Sequence, residues 1–242
     1  MLWCHGLTSS IANEDDRNLW SLVDPVNGAG YGLVRYDARG HGRSGGSLVP
    51  FDYDWSNLAL DAWALHKELA ASVDEPWVVG GASMGAATTL HMAVQRADRV
   101  RAMVLVIPPT AWESRPPQKE LYKGAVDFIR RNGKQKYVEA TQRLPPLPIF
   151  ADQAVRSVPD ISEELLPTVL EGAANADFPA KELVSALSMP TLILAWDTDP
   201  GHPVSTAEQL AELLPNNELS IARSFDQILG WSDRIATFLR AL

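Results

Sequence analysis

The stretch 78-VVGGASMGAATTL-90 sets Ser83 between Gly81 and Gly85, directly after an apolar run and directly before a helical one. A side chain held on a tight strand-to-helix turn needs small residues two positions to either side, because a Cβ there would collide across the turn. That context gives Ser83 the exposed setting of a nucleophile; the competing reading is a plain N-cap for the following helix. A serine hydroxyl attacks well only when a neighbouring base takes its proton, and the chain has five histidines to supply one. His66 and His91 fall inside amphipathic helical segments and read as packing residues. His202, in 199-DPGHP-203, sits on a loop. No His/Cys/carboxylate spacing reads as a metal site, no arginine cluster is set aside for a phosphate, and no glycine fingerprint marks a dinucleotide. A cofactor-free reaction is expected.

The elements that must position these residues follow from the hydrophobic pattern. Short apolar runs bounded by Gly, Pro or Asp occur at 2-LWC-4, 31-YGLVRYD-37, 76-PWVVGG-81, 100-VRAMVLVI-107, 190-PTLILAW-196 and 218-ELSIA-222, and such runs read as buried strands. Helical periods at 56–73, 84–97 and 205–214 separate several of them. The alternation predicts an α/β fold, a mostly parallel sheet of about six strands with helices on both faces. Ser83 then lies at the carboxyl end of the sheet, where ligand crevices form. The long interval between Ile107 and Thr191 breaks the alternation with helix-like pieces near 118–133, 134–143 and 160–174, interrupted by 144-LPPLPIF-150. We therefore expect a core formed by residues 1–110 and 188–242 and a helical insertion over 111–187.

Composition removes several functions. The net charge is -9 and lysine and arginine are scattered, so no basic stripe is present to displace counterions from a phosphate backbone, and no nucleic-acid partner is expected. The single cysteine, Cys4, rules out an internal disulfide; its apolar neighbours predict a buried, inert thiol and a reducing compartment. No apolar run reaches the roughly 18 residues of a membrane span, and 1-MLWCHGLTSS-10 lacks the charged and apolar regions of a signal peptide. A soluble, cytoplasmic protein without a membrane partner is expected.

Three further stretches, 5-HGLTSS-10, 36-YDARGHGRSGG-46 and 194-LAWDTDPGHPVSTAEQLAELLP-215, combine with the Ser83 turn to cover most of the chain. Together they resemble the α/β-hydrolase fold superfamily, specifically its small ester and lactone hydrolases with a helical cap. The resemblance implies Ser83 as nucleophile, the backbone N–H groups of Leu7 and Met84 as donors to an oxyanion, and a structural His5. It implies that Arg39 and His41 fix the 36–46 loop through hydrogen bonds. Asp199 occupies the place of the acid that orients the imidazole, with Asp197 as its competitor. The implied substrate is a small, largely apolar ester or lactone; Trp112, Leu121, Tyr122, Phe128, Ile129, Phe150 and Phe178 offer apolar surface for a pocket under the cap, although most of them are expected to be ordinary helix-packing residues.

The sequence departs from the family in two places. The family sets its histidine on the loop after the last strand, but 218-ELSIARSFDQILGWSDRIATFL-239 contains none, and Phe225 or Asp226 falls near that place. Two readings of His202 stay open: 199-DPGHP-203 simply caps the next helix, or His202 is the base with Asp226 on the neighbouring loop orienting it. A catalytically weakened or silent hydrolase-fold protein that binds a small apolar ligand is the alternative function. The second departure is the start, where the family's pair of strands before the oxyanion loop is missing, which reads either as a shortened form or as a lost chain start. That predicts an exposed strand edge and pairing as a homodimer.

Overall fold

All six apolar runs become strands of one sheet in a computed structural model, which describes residues 1–17, 19–70, 76–151, 153 and 158–242. The strands are β1 (Leu2–Cys4), β2 (Val34–Arg35), β3 (Trp77–Ala82), β4 (Val100–Val106), β5 (Thr191–Trp196) and β6 (Asn217–Ala222). Their order is β2-β1-β3-β4-β5-β6 and every neighbouring pair is parallel. β2 is shorter than the apolar run 31–37 because its partner β1 offers only three residues, and the register pairs Leu2 with Val34 and Trp3 with Arg35.

Because successive strand residues face opposite sides, each strand feeds two cores. Leu2, Cys4, Val79, Met103, Leu105, Ile193 and Ala195 enter one, and Trp3, Val78, Val104, Val106, Leu192 and Leu194 enter the other. The helices in chain order are α1 (Ile11–Arg17), α2 (Val23–Gly28), α3 (Trp55–Leu69), α4 (Met84–Gln95), α5 (Arg115–Asn132), α6 (Lys134–Gln142), α7 (Leu166–Asn175), α8 (Lys181–Ser185), α9 (Val204–Leu213), α10 (Phe225–Leu229) and α11 (Trp231–Arg240). The first core is closed by α3, α4 and α9 and the second by α2, α10 and α11. The apolar stripe Trp231, Ile235, Phe238 and Leu239 on α11 shows how: its spacing puts all four on one face, all are buried, and each such side chain contributes about 1.5–3 kcal/mol. The helix expected over 56–73 forms as α3; residues 71–73 lie outside the described residues, as do 152 and 154–157 of the expected insertion.

Helices α5 to α8 fill the interval between β4 and β5, and Val126, Ile129, Leu166, Val169 and Leu170 form a separate small core with Tyr53. Arg115 ties this layer down. It is fully buried, and its guanidinium donates to the carbonyls of Ala173 at 2.6 Å and Ala176 at 3.1 Å, at the end of α7, and to Thr110 Oγ1 at 3.1 Å. A cation belongs at a helix C-terminus, where the last carbonyls lack partners. The same guanidinium stacks 4.3 Å from the Trp55 ring, so α3, α5 and α7 meet on one side chain.

Candidate active site

Three strand ends converge on one edge of the sheet. β1 leads into residues 5–10, β3 into Ser83 and β5 into residues 197–203, and the register sets Cys4 beside Gly81. Ser83 turns the chain from β3 into α4 with φ 54° and ψ -115°. A serine gains nothing by itself from that left-handed backbone, which costs of order 1–3 kcal/mol. The flanking glycines explain how it is held: a Cβ on Gly85 would land on the carbonyl of Cys4, and one on Gly81 would lie 2.5 Å from the same oxygen. β1 and the first turn of α4 thus approach main chain to main chain. The Ser83 hydroxyl makes no capping bond to α4. It faces His202 instead, with Oγ 2.7 Å from Nε2.

The other imidazole nitrogen of His202, Nδ1, lies 2.7 Å from Asp199 Oδ2. Asp199 also accepts from the Trp196 indole N–H at 3.0 Å and from the Gly201 amide at 2.9 Å. Burial alone would push the Asp199 carboxyl up, but the His202 hydrogen bond and charge, the indole and the amide outweigh it and hold the pKa at about 2. An ionised Asp199 fixes the proton of His202 on Nδ1 and leaves the Nε2 lone pair for the serine proton. Asp197, the competitor, turns outward, with Oδ1 accepting from the Thr198 amide and Oδ2 lying 3.3 Å from Arg223.

Asp226 does not orient His202. It sits exposed in the first turn of α10, and its carboxylate has no hydrogen bond or ion pair among the described residues. The capping reading of 199-DPGHP-203 also fails for His202, whose ring nitrogens go to Ser83 and Asp199 and not to α9. The loop itself is pinned twice, by the Thr110 amide on the Gly201 carbonyl at 3.0 Å and by the Ile149 amide on Thr198 Oγ1 at 3.2 Å.

The 5–10 loop lies against the serine: a Cβ on Gly6 would come 3.5 Å from Ser83 Cβ. Thr8 takes φ 61° and the loop closes through the Ser9 amide on the Gly6 carbonyl at 3.1 Å. Among the described residues, the Leu7 and Met84 amides have no acceptor within the chain. Two such N–H groups beside a serine hydroxyl can stabilise a developing oxyanion.

Two buried histidines hold this loop in place. The Ala38 amide donates to His5 Nε2 at 2.8 Å, so His5 carries its proton on Nδ1 and donates it to the Gly6 carbonyl at 2.8 Å. His41 sits edge-on to His5 at 5.1 Å, with Nδ1 2.9 Å from the Arg39 carbonyl. Arg39 in turn grips Asp61 of α3. Burial, then the neighbouring His5, pulls the His41 pKa down to about 3, and burial pulls His5 down as well. The unfolded chain protonates these rings near pH 6.5 whereas the fold resists it, so stability is full above about 6.5 and falls as the pH drops towards 3. For His41 the expected loss is about 1.4 kcal/mol per pH unit, read as the urea midpoint between pH 7 and 4, and His5 adds in the same direction. A midpoint that does not move over that range would contradict a neutral His41. Cys4, next to this site, is buried as expected, and burial pushes its thiol up to about 12.

A cavity of about 440 Å³ opens on Ser83 and His202, and none of the apolar residues of the insertion that were available to line it does so. Gly6, Leu7, Ile107 and Trp196 line it together with Ser9, residues 14, 15 and 17 of α1, and residues 19–23 up to the start of α2. None of Trp112, Leu121, Tyr122, Phe128, Ile129, Phe150 and Phe178 lines it. Trp112 packs edge-on against Phe178 and Phe150 against Trp196, Ile129 is buried in the third core, and Leu121 and Phe128 are exposed. The walls are also less apolar than expected, because Glu14, Asp15, Arg17 and Arg35 take part. Sequence reasoning passed over 11-IANEDDR-17 because seven mostly polar residues carry no helical period. The available signal was Ser10, whose hydroxyl accepts from the Asn13 amide at 3.1 Å as an N-cap does.

The family model described as Hydrolase_4, serine aminopeptidase, S33, matches residues 1–224. A putative carbamate hydrolase, RutD, of Klebsiella pneumoniae subsp. pneumoniae is 29% identical over 201 residues, 78% of this chain and 71% of the relative. Among solved structures, a thermophilic esterase from Thermogutta terrifontis superimposes with a TM-score of 0.74 at 21% identity, covering 99% of this chain and 87% of the other. The enol-lactonase from Burkholderia xenovorans LB400 gives 0.72 at 19% identity, covering 98% and 90%.

Proposed function

The chain belongs to the Hydrolase_4 family (serine aminopeptidase, S33) of the α/β-hydrolase superfamily, and we propose that it cleaves carboxylic esters or lactones through an acyl-enzyme on Ser83. The observation that carries this reading is the unbroken run from Ser83 Oγ to His202 Nε2 and from His202 Nδ1 to Asp199, each step 2.7 Å long. In the first half-reaction His202 takes the hydroxyl proton as Oγ bonds to the carbonyl carbon, and the oxyanion forms against the Leu7 and Met84 amides. The imidazolium, stabilised by Asp199, then gives that proton to the leaving alkoxide. Water attacks the acyl-enzyme with His202 again as base, and Ser83 is released. The relatives named as carbamate hydrolase, esterase and enol-lactonase support an acyl substrate of this kind. The silent-binder alternative drew on the histidine missing after β6, and His202 weakens it by bringing an imidazole from the loop after β5.

A fluorophosphonate probe and p-nitrophenyl butyrate test the reading together. The expected result is a single label on Ser83 and a fall in kcat of about 10⁶-fold in Ser83→Ala. Turnover that survives Ser83→Ala, or a label on another residue, would overturn it.

A further inference from the structure

The wall of the Ser83 cavity carries a cation, Arg17, that makes no ion pair with a carboxylate among the described residues. Four charged side chains line that wall: Glu14, Asp15, Arg17 and Arg35. Three of them satisfy one another. Arg35 lies 2.7 Å from Asp15 and 3.4 Å from Glu14, and both Glu14 oxygens also accept from the Trp3 indole, at 3.1 and 3.2 Å. Arg17 is different. Its Nε donates to the Asn13 carbonyl at 3.1 Å and its Nη2 to Ser9 Oγ at 2.5 Å, both uncharged oxygens. Among the described residues its Nη1 has no partner, and no carboxylate lies within 4 Å of the guanidinium. Burial disfavours its charge, opposed by the more distant Glu14. A partly buried guanidinium with free donors, on the wall of a cavity that opens on a nucleophile, is suited to a charge-assisted hydrogen bond to a carboxylate.

We infer that the preferred substrate of this site is an ester or lactone bearing a remote carboxylate, which Arg17 receives through its free Nη1 donors while the acyl carbon sits at Ser83. The inference rests on the reading of Ser83 as nucleophile and narrows its substrate class. The cavity of about 440 Å³ has room for a short chain between the two ends. Glu14 and Asp15 on the same wall are already engaged, both pairing with Arg35 and Glu14 also accepting from the Trp3 indole, which leaves the Arg17 Nη1 donors to the incoming group. The Ser9 contact gives Arg17 a competing role as a clamp on the 5–10 loop, and the test separates the two.

The substrates are mono-p-nitrophenyl pimelate and p-nitrophenyl heptanoate, which share chain length and leaving group and differ in the terminal carboxylate. Wild type is expected to favour the pimelate in kcat/KM by about ten- to a hundredfold, and Arg17→Gln to collapse that ratio, with Arg17→Lys restoring part of it. A second arm does not depend on chemistry: Ser83→Ala protein titrated calorimetrically with monomethyl and dimethyl pimelate, with and without Arg17→Gln. The monoester is expected to bind about tenfold or more tightly than the diester, and only while Arg17 is present. Equal losses on both nitrophenyl esters in Arg17→Gln would identify a loop clamp and overturn the inference, as would equal binding of monoester and diester. Turnover of neither ester by wild type would count against the hydrolase reading, leaving the calorimetric arm to decide on Arg17.

Discussion

His202→Ala is expected to lower kcat on p-nitrophenyl butyrate by about 10⁶-fold, as removal of the base does in serine hydrolases whose triad works as a unit. The size follows from the connections of the ring. His202 is the imidazole that reaches the Ser83 hydroxyl, and its second nitrogen is taken by Asp199. The double variant Ser83→Ala/His202→Ala should be no slower than either single one, because each removes the same relay. Asp199→Asn should fall less, by about 10⁴-fold, since an amide can still hold the ring but favours the wrong tautomer. Asp226→Ala serves as the control: exposed and without a hydrogen-bond partner among the described residues, it should leave kcat within about twofold. Activity retained in His202→Ala and lost in Asp226→Ala would refute the assignment.

Gly85→Ala should cost more than about 4 kcal/mol of stability, or prevent recovery of folded protein altogether. The added methyl would strike the carbonyl carbon and oxygen of Cys4, and the His5 carbonyl lies just beyond. Overpacking against flexible side chains costs about 1–3 kcal/mol because they move aside. Here the obstacle is main chain, locked in register between β2 and β3. Gly124→Ala is the comparison. Gly124 lies inside α5 with open space around its Cβ direction, so the same change should stabilise by about 0.4–1 kcal/mol. Urea unfolding of the two variants measures both effects, and similar midpoints would mean that the contact between β1 and α4 is not the constraint on Gly85.

The parts of this protein that sequence makes legible are those governed by local pattern. Buried parallel strands are continuous apolar runs, so 100-VRAMVLVI-107 and 190-PTLILAW-196 announce β4 and β5 nearly to the residue. Gly81 and Gly85 announce the turn at Ser83 because no other residue type fits there. Asp199 was legible as the acid and His202 as a loop histidine near it, but that the two pair with each other was not, because chain order in related proteins pointed to the loop after β6 and hence to Asp226. The tight turn through Pro200 and Gly201, which folds Asp199 back onto the imidazole three residues later, is a matter of loop geometry with no periodic signature. The cavity was hidden for the same kind of reason. Its outer wall is α1 and α2, the first polar throughout most of its length and the second containing Pro25, and neither offers an apolar stripe to mark it. The aromatic residues between β4 and β5 are conspicuous in sequence, yet Trp112 and Phe178 pack on each other, Phe150 packs on Trp196 and Phe128 is exposed.

In the proposed relay acid and base share one short loop after β5, and that alters what can go wrong and what can be inherited. When the two come from separate loops, their spacing depends on two hinges; here a shift of residues 197–203 carries both together and changes only the gap to Ser83. On that reading the pair is portable: a single contiguous segment, seated by its contacts with Thr110 and Ile149, would transfer the proton-handling half of the site. The same reading relieves the turn between β6 and α10 of chemical duty, and Ile228 and Trp231 pack in the core beside it.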